Sequence, residues 1–343
     1  MKVLILSQAD TSIKYFLKEH VANYLRTHNC RVDFEPLLNH YDICLFSENS
    51  TNLRTLEKLK IAEKYVVVDP KMNSRKQIYN VKKANGAIVS SFEQAEKILE
   101  FQSNIQIQPW FRFAKDFVGI NTVSKKPGSA TNIVYHGNKV HLEAIGETLG
   151  PALEKLSYER NIVFSAIYNI RKLGKWKKTL PKNVQIRHIQ WESATYLNHI
   201  SEADIGVIPN FLPIGPRKFN YLYHKLFARL KYGTNLNIDG KDYLNRYKFT
   251  ANSGRLYEFA LLEMPVVAEP TISISQDIEH EKTGYLALSS VGWYKYLLML
   301  IDDLDLRRNI GISLKQEFFA KHDKDIYLER IFNFIQDLYN SRI

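Results

Sequence analysis

The chain has 343 residues, 45% of them hydrophobic and 12% aromatic, which excludes a disordered protein. A single core rarely grows beyond about 250–300 residues, so the length predicts two domains. The formal net charge of +11 favours a partner that carries phosphate, but it does not choose among nucleotides, lipid headgroups and nucleic acid.

The apolar runs are short. None approaches the roughly 20 residues of a membrane span, and MKVLIL at the N-terminus lacks the basic leader and cleavage site of a signal peptide. The two cysteines, Cys30 and Cys44, are too few for a disulfide framework and are expected to be reduced, buried thiols. Together these features predict a soluble, cytoplasmic protein.

Strand-like and helix-like segments alternate through the first third of the chain. Strands are predicted where β-branched residues cluster, at 2–6, 41–47, 64–69 and 86–91. Helices are predicted between them, at 12–27, 53–62 and 93–101. The polar segment NTVSKKPGSAT at 121–131 contains proline and glycine and predicts a linker.

The alternation restarts after this linker. Further strands are predicted at 132–138, 161–167, 184–189, 203–210, 265–270 and 284–288, with helices at 142–156, from about Ser253, and through 292–343. Strand–helix alternation builds parallel sheets covered on both faces. The sequence therefore predicts an α/β fold of two Rossmann-like, doubly wound domains facing a cleft. The predicted domains are 1–128 and 129–321, with a C-terminal helix at about 322–343 packing back on the first domain.

The most informative segment is ANSGRLYEFALLEMPVVAEP, residues 251–270. Ser253 is a good N-cap, Gly254 permits close approach of a ligand to the backbone, and Arg255 lies in the first turn. A helix start presents free N–H groups and the positive end of the dipole, which suit a pyrophosphate. Glu258, one turn later, is placed to accept hydrogen bonds from ribose hydroxyls. The alternative is an ordinary capped helix with Arg255 and Glu258 as a surface pair.

Other segments extend this pattern. NIVYHGN (132–138) combines a strand with a glycine turn, ADIGVIPN (203–210) is a second strand, and SQDIEHEKTGYLAL (275–288) carries an acidic loop before Gly-x-Leu-Ala. Together with RLYEFALLEMPVVAEP, they resemble the donor-binding domain of family 4-like, "group 1" glycosyltransferases of the GT-B fold. The resemblance covers roughly residues 132–325, and the first domain matches in general layout.

The resemblance implies roles for the matching residues. Glu258 would hold the ribose hydroxyls of a nucleotide sugar, and Arg255 would contact its diphosphate. The rest of the implied donor site comprises Asn252, Ser253 and Gly254 at the helix start, and Ser273 and Ile274 in the loop after the 265–270 strand. The family's other glutamate, which contacts the donor sugar, is replaced by Thr250. The donor sugar is therefore open, with Asn252 or Ser253 as the substitute polar contact.

Additional candidates flank this segment. Arg246 and Lys248 are expected to join Arg255 in stabilising a diphosphate that leaves without a metal, with a solvated basic face as the alternative. His136 and Gly137 are candidates for lining the cleft, against a structural histidine.

A second basic segment, RKLGKWKKTLPK at 171–182, holds one tryptophan among six cations. Such a composition suits an anionic membrane surface. An exposed loop is the alternative.

These features predict a hexosyltransferase-type glycosyltransferase in polysaccharide or glycoconjugate synthesis. It would move a sugar from a nucleotide diphosphate sugar to a glycan or lipid-linked acceptor, with retention and with neither metal nor cofactor. Peripheral contact with the inner face of the membrane is a further expectation. Nucleic acid is not expected, because the charge comes without a nucleic-acid-binding motif. Walker, dinucleotide-binding and hydrolase motifs are absent from the sequence. A sugar-nucleotide epimerase of the same fold and a non-catalytic nucleotide-sugar-binding protein stay open.

Overall fold

The computed structural model describes residues 1–7, 16–47, 53–72, 74–110, 130–212 and 252–341. The chain divides into two compact units. The first unit contains the described residues within 1–110, 252–257 and 318–341. The second unit contains those within 130–212 and 258–317. The domain boundary predicted at 128/129 and most of the linker at 121–131 lie outside the described residues, so that boundary stays a prediction.

The first unit is built on a parallel sheet that has six strands in the part of the chain described. Its strands are β1 (Lys2–Leu6), β2 (Arg31–Asp33), β3 (Tyr41–Ser47), β4 (Ala62–Val68), β5 (Gly86–Val89) and β6 (Gln106–Pro109), in the order β2-β1-β3-β4-β5-β6. The central strands β3 and β4 are buried almost throughout, as expected for a sheet covered on both faces. The sequence did not predict β2 and β6, because these edge strands lack a continuous apolar run.

Helices and one π-helical turn accompany this sheet. They are the π-helical turn Phe16–Val21, α1 (Ala22–Thr27), α2 (Leu53–Lys58), α3 (Arg75–Lys83), α4 (Phe92–Leu99) and the C-terminal helix α13 (Lys324–Asn340). The last of these packs on the first sheet, where the ring of Phe334 lies against Gly86 of β5. The cysteines are free and buried, as predicted, and burial raises the pKa of the Cys44 thiol well above its usual range.

The second unit is built on another parallel sheet, again of six strands among the described residues. Its strands are β7 (Thr131–His136), β8 (Ile162–Tyr168), β9 (Gln185–Gln190), β10 (Ile205–Ile208), β11 (Val266–Ala268) and β12 (Tyr285–Leu286), in the order β12-β11-β10-β7-β8-β9. The prediction of two doubly wound α/β domains is therefore confirmed at the level of the two sheets. Every predicted strand is present, with bounds that differ by a few residues.

The remaining helices follow these strands. They are α5 (Lys139–Leu142), a 3-10 turn (Ile145–Glu147), α6 (Leu149–Glu159), α7 (Ile170–Leu173), α8 (Tyr196–Ser201), α9 (Gly254–Leu261), α10 (Ile272–Asp277), α11 (Ser290–Asp302) and α12 (Leu304–Lys321). None of the helices in the described part of the chain combines the length and the apolar composition that crossing a bilayer requires.

The continuous helix predicted at 142–156 is wrong. The segment breaks at Thr148, whose φ of −124° and ψ of −90° lie outside the helical region. Its buried hydroxyl donates a hydrogen bond to Glu269, at 3.0 Å, in a distant part of the chain. Side chains of this kind compete with helical hydrogen bonding, and here the tertiary partner determines the backbone.

Helix α9 is fixed at its end and along its apolar face. Beyond its last residue, Glu263 adopts a left-handed φ of 51°, and the Met264 N–H donates to the Phe259 carbonyl. This is a Schellman arrangement, which ends a helix and reverses the chain. The buried ring of Phe259 lies so close to Gly206 of β10 that a Cβ atom there would come within 2.7 Å of it. The absence of a side chain at 206 therefore sets how closely α9 packs on the second sheet.

Gly206→Ala is expected to lower the free energy of unfolding by about 1–3 kcal/mol, the usual cost of overpacking. The matched control is Gly292→Ala in α11, where a Cβ would meet no atom nearer than 3.5 Å. There alanine should be neutral or stabilise by up to about 1 kcal/mol, because it favours helix. Urea unfolding of both variants measures the difference, and equal stabilities would contradict the packing argument.

Candidate functional site

The start of α9 is held by a side chain from the residues before it. The Gly254 N–H donates to the Asn252 Oδ1 at 3.1 Å, and the Leu256 N–H donates to the Ser253 carbonyl at 2.8 Å. The helix start predicted at Ser253 is confirmed, with Ser253 directly before the first helical residue. The capping acceptor at the first amide is Asn252 and not Ser253, the N-cap predicted from the sequence.

Glu258 lies one turn into α9 and is only 7% exposed. The Tyr196 hydroxyl donates to its Oε1 at 3.4 Å, and His136 Nε2 lies 4.0 Å from its Oε2. The His136 ring packs edge-on against Phe259, with ring centroids 5.0 Å apart. Glu258 is therefore a core carboxylate rather than one member of a surface pair. The structure brings the predicted residues Glu258 and His136 together and adds Tyr196, which was not predicted from the sequence.

The position of His136 follows from the end of β7. His136 is the last residue of that strand, and Gly137 turns the chain with a φ of +142°. A residue with a side chain would be strained there. Asn138 then caps α5 by accepting from the Val140 N–H at 3.0 Å. In open α/β sheets ligands bind at the carboxyl ends of the strands, and this turn lies at that edge of the second sheet.

A second buried carboxylate lies at the same edge. Glu269, which directly follows β11, has no exposed surface. Its Oε2 accepts from the backbone N–H groups of Asn210 and Phe211, at 2.6 and 2.7 Å, and its Oε1 accepts from the Thr148 hydroxyl. A buried charge is tolerated when it is hydrogen-bonded in this way. Glu269 thereby joins the segments that follow β10 and β11.

Glu269 was not among the residues predicted from the sequence to form the site. The signal available was a single charged residue directly after a wholly apolar strand and before a proline, and that pattern does not reveal the partners. Those partners come from Thr148 and from residues 210–211, which the fold alone brings to Glu269.

Ser273 and Ile274 were predicted to lie in a loop, but they lie in the first turn of α10. The reason is local: Thr271 caps this helix by accepting from the Ile274 N–H at 3.2 Å. Both Ser273 and Ile274 are buried. Their proximity to a donor sugar stays a prediction.

Of the three cations predicted to stabilise the diphosphate, the structure describes only Arg255. Arg255 lies in the first turn of α9 and is half-buried. Arg246, Lys248 and Thr250 lie outside the described residues, and their roles stay predictions.

No group of three or more histidine, cysteine, aspartate or glutamate side chains in the described ranges is arranged to hold a metal ion. Asp303, in the Asp-Leu-Asp sequence at 303–305, caps α12 by accepting from the Leu306 N–H.

The basic segment at 171–182 exposes its six cations but not its tryptophan. Trp176 lies in the core of the second unit, and its backbone N–H donates to the Tyr168 hydroxyl at 2.8 Å. The Tyr168 hydroxyl also lies 3.0 Å from His188 Nδ1, and burial, together with the charge of Lys175, lowers the pKa of His188. The segment is therefore an exposed loop anchored by an aromatic cluster, and Trp176 has no surface to offer a membrane.

Glu269→Gln is expected to lower the free energy of unfolding by about 1–3 kcal/mol. The amide NH2 group would face N–H or O–H donors in place of a carboxylate oxygen, leaving buried groups without acceptors. Glu263→Gln, an exposed position at the end of α9, is the matched control and should change little. Thermal and urea unfolding of the two variants give the comparison, and equal stabilities would contradict the role assigned to Glu269.

Comparison with known proteins yields structural neighbours only. No protein-family model matches the sequence, and no curated protein sequence matches it. A variant of TarM from S. aureus, solved with fondaparinux, alpha-GlcNAc-glycerol and UDP, is 16% identical over 87% of this chain and 55% of TarM, with a TM-score of 0.56. The chain thus spans about half the length of TarM.

Two other neighbours match along nearly their whole length. Sucrose-phosphate synthase from Thermosynechococcus elongatus is 10% identical over 98% of this chain and 99% of its own, with a TM-score of 0.59. HepE from Anabaena, solved with UDP-glucose, is 12% identical over 98% of this chain and 100% of its own, with a TM-score of 0.57. These likenesses show that the chain has the GT-B fold that its sequence predicted.

Proposed function

We propose that the protein is a glycosyltransferase that takes its sugar from a nucleotide diphosphate sugar. The observation that carries the proposal is the buried carboxylate of Glu258 one turn beyond a helix start, which accepts from the Tyr196 hydroxyl and lies 4.0 Å from His136 Nε2. A carboxylate offers about four acceptor sites, so these contacts are compatible with accepting ribose hydroxyls as well. Structural neighbours solved with UDP or UDP-glucose support uridine nucleotides as the first to test.

The proposed chemistry is the departure of a nucleoside diphosphate from the sugar. The positive end of the α9 dipole and the guanidinium of Arg255 would stabilise the negative charge that develops on the leaving group. Arg246 and Lys248 are proposed to add to that charge. Because Glu258 is already oriented by protein contacts, its hydrogen bonds to the ribose would need little reorganisation.

The finer features of the reaction rest on the sequence resemblance. We propose retention of anomeric configuration, no metal requirement, hexosyl transfer, and a glycan or lipid-linked acceptor. The exposed cations of the 171–182 segment support electrostatic attraction to an anionic acceptor or membrane surface.

The experiment that tests the proposed function is a thermal-shift panel of UDP, GDP, ADP, CMP and their common sugars. A ligand at a hundred times its Kd stabilises the folded state by about 2.7 kcal/mol. We expect uridine nucleotides to raise the Tm, and release of free UDP from a responding UDP-sugar when acceptors are supplied. A changed sugar in the absence of acceptor would mark an epimerase instead. Binding without turnover would mark a binding protein, and silence across the panel would contradict the donor site.

Arg255→Ala is expected to weaken UDP binding and to lower kcat/KM by roughly 10- to 100-fold, the loss of one charge-assisted contact at the diphosphate. Arg308→Ala, at an exposed position in α12, is the matched control and should behave as wild type. Isothermal titration with UDP and steady-state kinetics supply both values. Wild-type kinetics in Arg255→Ala would remove Arg255 from the mechanism.

Glu258→Gln is expected to raise the donor KM about tenfold while changing kcat less, because the ribose contact is made in both ground and transition states. The glutamine keeps the shape of the side chain and one acceptor oxygen. Circular dichroism and Tm report whether the fold survives, and Glu263→Gln again serves as the control. An unchanged KM in a folded variant would rule out the ribose role.

A further inference from the structure

A buried polar network lies at the carboxyl ends of β4 and β5 in the first unit. Its centre is Asp69, which is 6% exposed and has a left-handed φ of 50°. The Asp69 Oδ1 accepts from the Ser90 hydroxyl and from Gln94 Nε2, each at 3.0 Å. The Asp69 Oδ2 forms an ion pair with Lys71 Nζ at 2.6 Å. Aspartate tolerates a positive φ better than most residues, so this backbone turn suits its side chain.

Gln94 has no exposed surface and hydrogen-bonds to both Asp69 and Ser90. Its side-chain amide donates hydrogen bonds to the Asp69 Oδ1 and to the Pro70 carbonyl. Its Oε1 accepts from the Ser90 N–H at 2.8 Å. A fully satisfied polar network in the protein interior is rigid. The position of the Ser90 hydroxyl is therefore fixed by both its backbone and its side-chain partners.

Ser90 links this network to Asn252. The hydroxyl has one proton, and the nearer of its two acceptors is the charged oxygen of Asp69, at 3.0 Å against 3.3 Å for Gln94. Ser90 therefore accepts from the Asn252 side-chain amide, whose Nδ2 lies 3.2 Å away. That orientation points the Asn252 Oδ1 at the Gly254 N–H, as its 3.1 Å bond requires. Both contacts demand the same amide orientation.

We propose that Asp69, Ser90 and Gln94 are positioning residues that hold the Asn252 amide and, through it, the first turn of α9. The consequence for ligand binding rests on the proposed function, in which this turn meets the diphosphate. A helix start that is ordered before the ligand arrives loses less entropy on binding. The network thereby makes residues far outside the α9 segment contribute to nucleotide affinity without touching the nucleotide.

The test uses Ser90→Ala in the full chain, with Ser74→Ala as the matched control. Ser74 caps α3 in the same unit, where the Gln77 N–H donates to its hydroxyl, so each variant loses one serine hydroxyl that takes part in a helix-start contact. Hydrogen exchange of peptides covering residues 252–262 is followed by mass spectrometry, and the UDP Kd by calorimetry. Ser90→Ala is expected to speed exchange at the α9 start and to weaken UDP binding, each roughly fivefold, the effect of losing one hydrogen bond.

Two further variants separate positioning from general loss of structure. Ser90→Thr keeps the hydroxyl and should restore both readouts. The double variant Ser90→Ala with Asn252→Ala should be no worse than Asn252→Ala alone, because Ser90 acts only through Asn252. Additive losses would overturn the proposal, and so would exchange in Ser90→Ala that matches Ser74→Ala.

The same measurements distinguish failure of the proposed function from failure of the positioning role. A wild-type protein that binds no nucleotide would remove the donor site, while the exchange measurement would still decide whether Ser90 orders the start of α9.

Discussion

The constraint on which the candidate site depends is the burial of carboxylates at the carboxyl edge of the second sheet. A charged oxygen removed from water is costly unless donors surround it. Glu269 meets this requirement through two backbone N–H groups and the Thr148 hydroxyl, and one oxygen of Glu258 accepts from the Tyr196 hydroxyl, with His136 Nε2 4.0 Å from the other oxygen. Each carboxylate therefore dictates the position of the segments that supply its partners.

The two carboxylates have different consequences because their partners differ. Backbone N–H groups and the Thr148 hydroxyl surround Glu269, which makes it an internal tie between neighbouring strand ends. Glu258 is held by side chains that are themselves aromatic, with the His136 ring lying against Phe259 of the same helix. Glu258 therefore lies among side chains, whereas Glu269 is enclosed mainly by backbone donors.

The start of α9 is held by contacts both near and far in the sequence. Locally, Asn252 caps the first amide, and the helix dipole makes that end attractive to phosphate. At long range, Ser90 holds Asn252 although the two residues are 162 positions apart in sequence. The two contacts of Asn252 therefore connect the first amide of α9 to the buried network around Asp69.

The sequence by itself determined the two parallel sheets, the start of α9 and the candidacy of Glu258, because these depend on local chemistry. Short β-branched runs between turn residues favour buried strands, and small polar residues directly before an apolar periodicity favour a helix start. The GT-B resemblance of residues 132–325 was likewise readable from short motifs. The edge strands β2 and β6 escaped prediction because an edge strand needs no continuous apolar run.

Only the tertiary structure decided which side chains meet. Tyr196 and Glu258 are 62 positions apart, and nothing near Tyr196 in the sequence marks it as a partner. Thr148 breaks a helix that its local pattern favoured, because Glu269 offers its hydroxyl a buried acceptor. Trp176, read beside its lysines, suggested a membrane contact, yet it fills the core. Hydrogen-bond satisfaction and packing act through space, so they appear only when the chain is folded.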